Sequence, residues 1–576
     1  MSLDWSLGAE AAAWAASVAR LDDFRPLLPA EEEIVARLQS GNFDRLGDGV
    51  LPAEPDPARL VRATFLRFLI LGGEAGYRPH EKGVLVRGAW ISEVLDLEAC
   101  RVFRDIGLKD CHFEATPILR AAIINRLFLD GSRLPGLQAE RLEARGGIYL
   151  RGAEVEGAIH LDQARLGGNL ECDGAAIRNR GGYALLGRSL EVRNVLLRGA
   201  TLRGGANLSG AVLAADLDAA GATIPAFEGM ALDAGELACH GSVVLRNAVV
   251  TGEVRLTGSR VDGDLDCSGT AVDNAGGAAI EASRAIVKGA FFLRGKARLE
   301  GTLALTGASL GTIHDEAACW PKPGELLLNR CRYGAFIDGP VDAESRLDWL
   351  ARQTPERWGE DFWPQPYEQL AAVFREMGHG EDASSVLVIK ERLQRRARRA
   401  RTENPVWRAL LTVADGILGV TLGYGRRPLF ALVWLTFFWL AGVATFAYAE
   451  RQGAIMPNSA VVLRAPEWTL CGIAQGEQRS LVATGPSQGL AAPGQNQLAC
   501  FRQRWEASSY PAFSPWMYSL DTLLPVLDMG QRSFWRPNPT KPGGRIAINY
   551  FYFQSVVGWA LSLLAVAGFS GLVKSS

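Results

Sequence analysis

Apolar residues in the middle of the chain recur every eleven positions and stay in register with glycines. Four sets of residues show this spacing: Gly241, Gly252, Gly263; Val243, Val254, Leu265; Leu245, Leu256, Cys267; and, earlier in the chain, Leu150, Leu161, Cys172. A fixed period of this kind indicates identical structural units that complete their core only by stacking on one another. The pattern therefore predicts a repeat architecture for this part of the protein.

Each unit has the pattern of a short strand followed by a bend. In residues 252–262, Val254 and Leu256 alternate with charged or polar neighbours, which places the apolar pair on one face of a strand. Gly258 then marks the bend. Short strands that stack side by side predict a right-handed parallel β-helix, in which two units, or about 22 residues, form one turn and turns lie about 4.8 Å apart.

The repeat predicts a β-solenoid domain over residues 76–315, with roughly ten turns and a length of about 50 Å. A β-helix exposes unpaired strand edges at its ends, so we expect other elements to cover them. Residues 60–71 carry apolar side chains at helical spacing, and Gly72 and Gly73 end that segment. Residues 1–75 are therefore predicted to form an N-terminal helical cap.

Part of the repeat shortens toward a step of five residues. Triplets with alanine first and leucine third mark this step: Ala200-Thr201-Leu202, Ala206-Asn207-Leu208, Ala211-Val212-Leu213 and Ala215-Asp216-Leu217. They resemble the A(D/N)Lxx signature of pentapeptide-repeat proteins, although several of the Asp/Asn positions hold other residues.

Helical patterns return after the solenoid and predict a helical neck over residues 316–408. Leu370, Val373 and Phe374 lie on one stripe of a first helix, and a second helix follows it. The pair resembles a tetratricopeptide-type hairpin, and a plain connector fits the pattern equally well.

The second helix of the neck ends in a run of basic residues. This basic run consists of Lys390, Arg392, Arg395, Arg396, Arg398, Arg399 and Arg401. The whole chain, with 61 basic and 63 acidic residues and a net charge of −2, gives no general reason to bind nucleic acid. Because an uncharged apolar segment lies within about 30 residues, the basic run favours contact with anionic lipid at a membrane surface.

Two uncharged apolar segments near the C-terminus are long enough to cross a bilayer, at residues 429–449 and 546–573. They predict a membrane-entry segment and first transmembrane helix over 409–449. We predict that a non-cytoplasmic loop follows over 450–545. A second transmembrane helix with a short cytoplasmic tail is predicted over 546–576.

Charge placement predicts the orientation of these helices. The basic run, Arg426 and Arg427 precede the first span, and Lys574 follows the second, which favours cytoplasmic N- and C-termini. The loop between the spans then lies in an oxidising compartment, where Cys471 and Cys500 are predicted to form a disulfide.

The other seven cysteines form no CxxC pair. Cys172 and Cys267 occupy columns that leucine fills elsewhere, so they are predicted to be small core residues in a reducing compartment.

Residues 514–530 form an apolar segment that is shorter than a span. Its only charges are Asp521 and Asp528. If the segment dips into the bilayer, these carboxylates indicate an ion path; if it lies on the outer surface, they are solvated interfacial groups, which is the favoured interpretation.

Four stretches carry a resemblance to a known family. They are PQPYEQLA at 364–371, GYGRRP at 423–428, YSLDTLLPVLDMGQ at 518–531, and GW followed by AGFSGLV in the last span. Together with the repeat they resemble bacterial inner-membrane proteins with cytoplasmic pentapeptide-like or β-solenoid repeats. The resemblance implies the architecture and an inner-membrane location. Some such proteins carry the name membrane-associated oxidoreductase, but no residue pattern here supports that chemistry.

Three common motifs of enzymes and nucleotide-binding proteins are absent from the sequence. It contains no GxGxxG between a strand and a helix, no P-loop and no HExxH. Asp262, Asp264 and Asp266 alternate outward, as in a carboxylate cleft of a glycosidase or as on any soluble acidic face, and the second is favoured. The six histidines show no metal-ligand spacing: His80, His112, His160, His240, His314 and His379.

Three functional hypotheses remain. The leading one is a non-enzymatic membrane protein that presents its cytoplasmic solenoid as a scaffold for an unknown protein partner, without a cofactor and without nucleic acid. The second is an oligomeric ion channel with a re-entrant loop around Asp521 and Asp528. The third is a membrane-associated oxidoreductase. The sequence leaves open whether copies of the chain associate.

Overall fold

The structure is a computed structural model that describes residues 20–422, 429–481, 485–524 and 527–569. The chain divides into two compact units, Met1–Val386 and Leu387–Ser576. The GYGRRP stretch, the start of the predicted cap and the end of the last predicted span lie outside the described residues.

The first unit contains a parallel β-solenoid of about 11 turns, which confirms the predicted fold class. One regular turn has four short strands, Glu143–Ala144, Ile148–Tyr149, Glu154–Val155 and Ile159–His160. The first two belong to one sheet and the last two to another, and each pairs in parallel with the strand in the next turn.

The first sheet contains Asp44–Arg45, Gly83–Arg87, Asp105–Lys109, Ile123–Ile124, Leu127–Phe128, Glu143–Ala144, Ile148–Tyr149, Arg165–Leu166, Leu170–Glu171, Glu191–Val192, Val195–Leu196, Val212–Leu213, Leu217–Asp218, Ala238–Cys239, Val243–Val244, Arg260–Val261, Leu265–Asp266, Ile286–Leu293, Ser309–Asp315 and Arg332–Ile337. The second sheet contains Leu60–Arg62, Trp90–Ser92, His112–Phe113, Arg133–Leu134, Leu137–Gln138, Glu154–Val155, Ile159–His160, Ala176–Arg178, Leu185–Leu186, Thr201–Arg203, Ala206–Asn207, Thr223–Asp233, Val249–Arg255, Ala271–Glu281, Arg298–Ala304 and Leu326–Leu327.

The strand register shows what the eleven-residue period means. Val243 pairs with Leu265, which lies 22 residues later, whereas Val254 belongs to the other sheet and pairs with Ile280. Eleven residues are therefore half a turn, and like residues stack only at every second step. The predicted turn of about 22 residues is confirmed, but the single column of residues eleven apart divides into two columns on different sheets.

Alanine and leucine fill the interior where the repeat shortens toward five residues. Ala200, Leu202, Ala206, Leu208 and Ala211 are all fully buried. Gly258, which was predicted to mark a bend, has a φ of 69°, in the left-handed region that glycine adopts most easily.

The solenoid extends beyond the predicted limits of 76 and 315. Its first paired strands are Asp44–Arg45 and Leu60–Arg62, and its last is Arg332–Ile337. The first turn thus lies inside the segment predicted to be a helical cap, and the last lies inside the predicted neck. The exact eleven-residue spacing of glycines does not continue into these terminal turns, although Gly334 in the last strand still approaches Gly311 of the turn before it.

The helices of the first unit are α1 (Pro29–Arg37), α2 (Ala63–Ile70), α3 (Ala343–Leu350), α4 (Gln365–Glu376) and α5 (Gly380–Ala400), the last of which continues into the second unit. Short 3₁₀ turns lie at Leu21–Phe24, Ala317–Cys319 and Pro355–Trp358.

Helix α4 covers the last strand of the solenoid. The side-chain amides of Gln365 and Gln369, one helical turn apart, donate to the main-chain carbonyls of Cys331 and Tyr333. These bonds, 2.9 and 2.8 Å long, satisfy edge groups that another turn of strand would otherwise pair. The PQPYEQLA stretch thus closes the C-terminal end of the solenoid.

The second unit is mostly helical. Its helices are α6 (Pro405–Leu422), α7 (Leu429–Arg451), α8 (Ala460–Arg464), α9 (Pro466–Thr469), α10 (Gln497–Arg502), α11 (Pro515–Leu523), α12 (Gln531–Phe534) and α13 (Gly544–Phe569). Two antiparallel strand pairs join Ile455–Pro457 to Trp535–Pro537 and Gln478–Leu481 to Gly485–Gln488. Further 3₁₀ turns lie at Leu470–Gly472 and Trp505–Ser509.

Candidate functional site

One face of the solenoid carries an open groove of about 860 Å³. The groove runs along the first sheet across successive turns, and the stacked strands fix the spacing of its side chains. It is lined by Ile123, Glu143, Ala144, Arg145, Arg165, Leu166, Gly167, Glu191, Val192, Arg193, Val212, Ala214 and His240.

The groove combines apolar and charged side chains of both signs. Arg165 and Glu191 pair across adjacent turns, with 3.3 Å between guanidinium nitrogen and carboxylate oxygen. Arg145 lies over the ring of Phe103, 5.6 Å from its centroid. Val212 leaves 42% of its surface exposed. Such a mixed, rigid surface suits an extended protein partner better than a small apolar ligand.

The predicted outward carboxylates each have their own partner. Asp262 contacts His240 and Lys288 at 2.9 and 2.8 Å, Asp264 accepts a hydrogen bond from the backbone of Ala290, and Asp266 pairs with Arg246. Lys288 and His240 hold the pKa of Asp262 below its usual value. A general acid needs a raised pKa, so the contacts of Asp262 argue against acid catalysis there. Asp266, which was predicted to face outward, is buried instead.

Burial controls the chemistry of the cysteines in the solenoid. Cys172 and Cys267 are fully buried, as predicted, and burial raises the pKa of Cys267 to about 12. Burial likewise raises the pKa of Cys111 to about 12 and of Cys239 to about 11. A thiol with a raised pKa holds little thiolate, which is the reactive form, so these residues are poor redox or nucleophilic centres.

The basic run lies on the C-terminal half of α5 and just beyond it. Arg392, Arg396, Arg398 and Arg401 are exposed, whereas Lys390 is buried. Lys390 and Arg395 approach Glu391 at 3.6 and 3.7 Å. The predicted run therefore contributes four exposed arginines around the end of α5 rather than seven equivalent cations.

Within the residues that the structure describes, helices α7 and α13 each contain one segment that is long and apolar enough to cross a membrane, Leu432–Arg451 and Gly544–Leu563. The protein buries only 17% of the first segment and 22% of the second. Helix α6 also exposes apolar residues, including Trp407, Leu410 and Val413.

Helix α11 packs against both long helices through a buried polar cluster. Ser519 Oγ donates to the carbonyl of Trp439 at 2.8 Å, and Gln554 Nε2 donates to Ser519 Oγ at 2.9 Å. Glycines permit this approach, because a Cβ on Gly442 would lie 2.2 Å from Ser519 Oγ and one on Gly558 would lie 1.9 Å from the carbonyl of Leu523. The three helices thus form one packed unit.

The two candidate pore carboxylates have different environments. Asp521 is fully buried and accepts hydrogen bonds from the backbone amides of Met529 and Arg532, at 3.1 and 2.8 Å. The guanidinium of Arg532 lies 3.4 Å away. Asp528 is exposed and accepts from the backbone of Gly530. The contacts of Asp521 hold the turn that follows α11, a structural role that needs no ion path.

The sulfur atoms of Cys471 and Cys500 lie 1.98 Å apart, the separation of a disulfide bond. Both residues are buried in the core of the loop domain between α7 and α13, together with Trp468, Leu498 and Phe501. The described part of the loop between the two cysteines contains one antiparallel strand pair and the start of α10.

Within the described ranges, no group of three or more His, Cys, Asp or Glu residues has the arrangement of a metal site. The scattered histidines instead make local contacts, such as the stacking of His112 on Trp90 at 3.8 Å between ring centroids.

Comparison with known proteins gives little further. No protein-family model and no curated protein matches the chain. Among solved structures, the chain is similar to HetL, a pentapeptide-repeat protein involved in the regulation of heterocyst differentiation in the cyanobacterium Nostoc sp. The sequences are 16% identical, the match covers 44% of this chain and 89% of HetL, and the TM-score is 0.12. The assignment of the solenoid rests on its own strand register.

Proposed function

We propose that the protein is a non-enzymatic scaffold, anchored in a bacterial inner membrane, that presents the solenoid groove to a protein partner. The groove carries this proposal: it is about 860 Å³ in volume, spans several turns and combines exposed apolar residues with charges of both signs. Stacked strands keep these groups at fixed positions, so recognition of a partner needs little ordering of the solenoid.

The surfaces of α7 and α13 support the membrane anchor. Both are long apolar helices whose side chains the protein leaves mostly uncovered. Uncovered apolar surface of this extent is unfavourable in water and favourable in lipid. The exposed arginines at the end of α5 and the exposed apolar residues of α6 fit the headgroup region that precedes the first span.

The orientation remains that of the charge rule, with the solenoid and both termini in the cytoplasm. The loop that contains Cys471 and Cys500 then lies outside, where a disulfide persists. The proposal thus gives the disulfide-bonded cysteine pair an oxidising environment, and it leaves the buried solenoid thiols in a reducing one.

Site-specific photocrosslinking in cells tests the scaffold. A photoreactive phenylalanine analogue at Val212, in the groove, should give a defined adduct with one protein. The matched control is Val249, which is similarly exposed, at 52%, but lies on the other sheet. Equal crosslinking at both positions, or none at Val212 with normal expression, would contradict the groove as the binding face.

An oligomeric channel is the second candidate, because a short helix between two spans resembles a re-entrant element. The buried contacts of Asp521 explain its presence without conduction. The channel predicts ion flux in proteoliposomes that falls in Asp528→Asn, whose exposed carboxylate has few contacts to lose. Silent proteoliposomes containing a folded protein would exclude it. No contact in the described residues favours the oxidoreductase hypothesis, and the raised thiol pKa values argue against thiol chemistry.

A further inference from the structure

A cavity of about 210 Å³ lies in the second unit at the N-terminal end of α13. It is bounded by the first turns of that helix, by α11 and by the strand pair Ile455–Pro457 and Trp535–Pro537. The volume corresponds to about seven water molecules in the liquid, since each occupies about 30 Å³. A small polar group and part of its attached chain therefore fit inside.

Two guanidinium groups line this cavity. Arg532 forms an ion pair with Asp521, with 3.4 Å between Nε and a carboxylate oxygen. Arg536 also lines the cavity and forms no ion pair with any carboxylate in the described parts of the chain. Asp521 also receives two backbone hydrogen bonds, so its charge is shared among several donors. The cavity as a whole keeps an excess of positive charge.

The remaining walls are amphipathic. The side chains of Tyr518 and Asn458 add polar groups, and Trp535 and Tyr552 add aromatic surface. Tyr552 is exposed on α13, within the first turns of the segment that can cross a membrane. Aromatic and arginine side chains at the end of such a helix are typical of the headgroup level of a bilayer.

We propose that this cavity binds a phosphate group, either in the headgroup of a membrane phospholipid or as free phosphate. A guanidinium presents paired donors that match two phosphate oxygens, and Arg536 is placed to supply them. The lipid source rests on the proposed membrane anchor, whereas binding of free phosphate does not.

The test compares the full-length protein with Arg536→Gln, which removes the charge that has no carboxylate partner. Arg532→Gln is avoided because it would leave buried Asp521 without its cation. Arg464→Gln is the matched control, since Arg464 is an exposed arginine of α8 in the same unit and does not line the cavity. Near-ultraviolet circular dichroism and the oxidation state of Cys471 and Cys500 confirm that each variant is folded.

Native mass spectrometry of the delipidated protein measures binding of phosphatidylglycerol, with diacylglycerol as the lipid that lacks phosphate. Thermal shift measures binding of inorganic phosphate. We expect Arg536→Gln to weaken binding of whichever probe the wild type binds by about tenfold or more. Arg464→Gln should leave the same binding unchanged. An effect on phosphatidylglycerol alone identifies a lipid site, and an effect on inorganic phosphate alone identifies a free-anion site.

Equal binding by wild type and Arg536→Gln, or no binding of either probe by folded wild type, overturns the proposal. These outcomes are independent of crosslinking at Val212. A failure to find a partner in the groove would therefore not contradict the phosphate site. A failure to find phosphate binding would not contradict the groove as a binding face.

Discussion

The buried pair of Asp315 and Arg346 should be the main support of the C-terminal end of the solenoid. Asp315 lies in the strand Ser309–Asp315 and Arg346 in α3, and both are almost completely buried. Two hydrogen bonds of 2.7 and 2.6 Å join the guanidinium to the two carboxylate oxygens. Arg346 also donates to the carbonyl of Pro340, and Trp320 donates to Asp315.

Replacing Arg346 with methionine keeps much of the side-chain volume but leaves a buried carboxylate with Trp320 as its side-chain donor. Removing one partner of a buried pair costs about 3–5 kcal/mol. The guanidinium also lies 3.6 Å from the centroid of Phe336, so packing on that ring is lost as well. The matched control is Arg151→Met, because Arg151 pairs with Asp130 at the surface at 2.9 Å, where such a pair contributes at most about 1 kcal/mol.

Hydrogen exchange followed by mass spectrometry resolves the effect along the chain. Each turn of a solenoid contacts only its neighbours, so Arg346→Met should lower the opening free energy of residues 309–337 and leave residues 143–177 unchanged. A loss no larger than that in Arg151→Met, or a loss spread evenly over all turns, would refute the reasoning.

Three further predictions follow from individual contacts. Burial raises the pKa of Asp44 from 3.8 to about 6, so the folded state loses stability as pH rises from about 4 to about 6. Asp44→Asn should therefore raise the melting temperature at pH 7.5, by the equivalent of at most about 3 kcal/mol. The same substitution should give no gain at pH 4. Asp521→Asn should destabilise the second unit by about 1.5–3 kcal/mol, because it weakens a buried charged acceptor, whereas exposed Asp528→Asn should change the melting temperature little; equal shifts would contradict the assigned contacts. Alkylation before and after reduction should show Cys471 and Cys500 gaining reactivity only after reduction, and modification of both without reductant would contradict the bond.

The arrangement of the solenoid could be predicted because its turns repeat. Apolar alternation in residues 252–262 predicts strands, and the glycines eleven apart predict half-turns that stack closely. A Cβ on Gly263 would lie 2.8 Å from the backbone carbonyl of Gly241, two half-turns earlier. A glycine at this corner is therefore required by the approach of one turn to the next.

Other features had no periodic signal. Every second turn in the region 165–286 contains 26 residues, because a loop is inserted at one corner. In two of these loops an asparagine amide closes the loop on a carbonyl four residues later, from Asn179 to Tyr183 and from Asn274 to Ala278. The sequence shows each loop only as a break in the repeat.

The groove and the phosphate cavity could not be predicted from local patterns, since each is assembled from residues far apart in the chain. Glu143 and His240 line the same groove because their turns lie along one face. Likewise, Asn458 and Arg536 meet only because the strands Ile455–Pro457 and Trp535–Pro537 pair. Periodicity fixes stacking within the solenoid, whereas long-range pairing decides which side chains converge.

Labelling of introduced surface cysteines with a membrane-impermeant maleimide in intact spheroplasts, with the wild-type chain as background, tests the membrane-anchored scaffold most directly. Glu506→Cys places a thiol on the exposed surface of the loop between α7 and α13, and Thr223→Cys places one on the outside of the solenoid. The account predicts that the first is labelled in intact spheroplasts and the second only after lysis. Labelling of Thr223→Cys in intact spheroplasts, or protection of both sites until lysis, would contradict it.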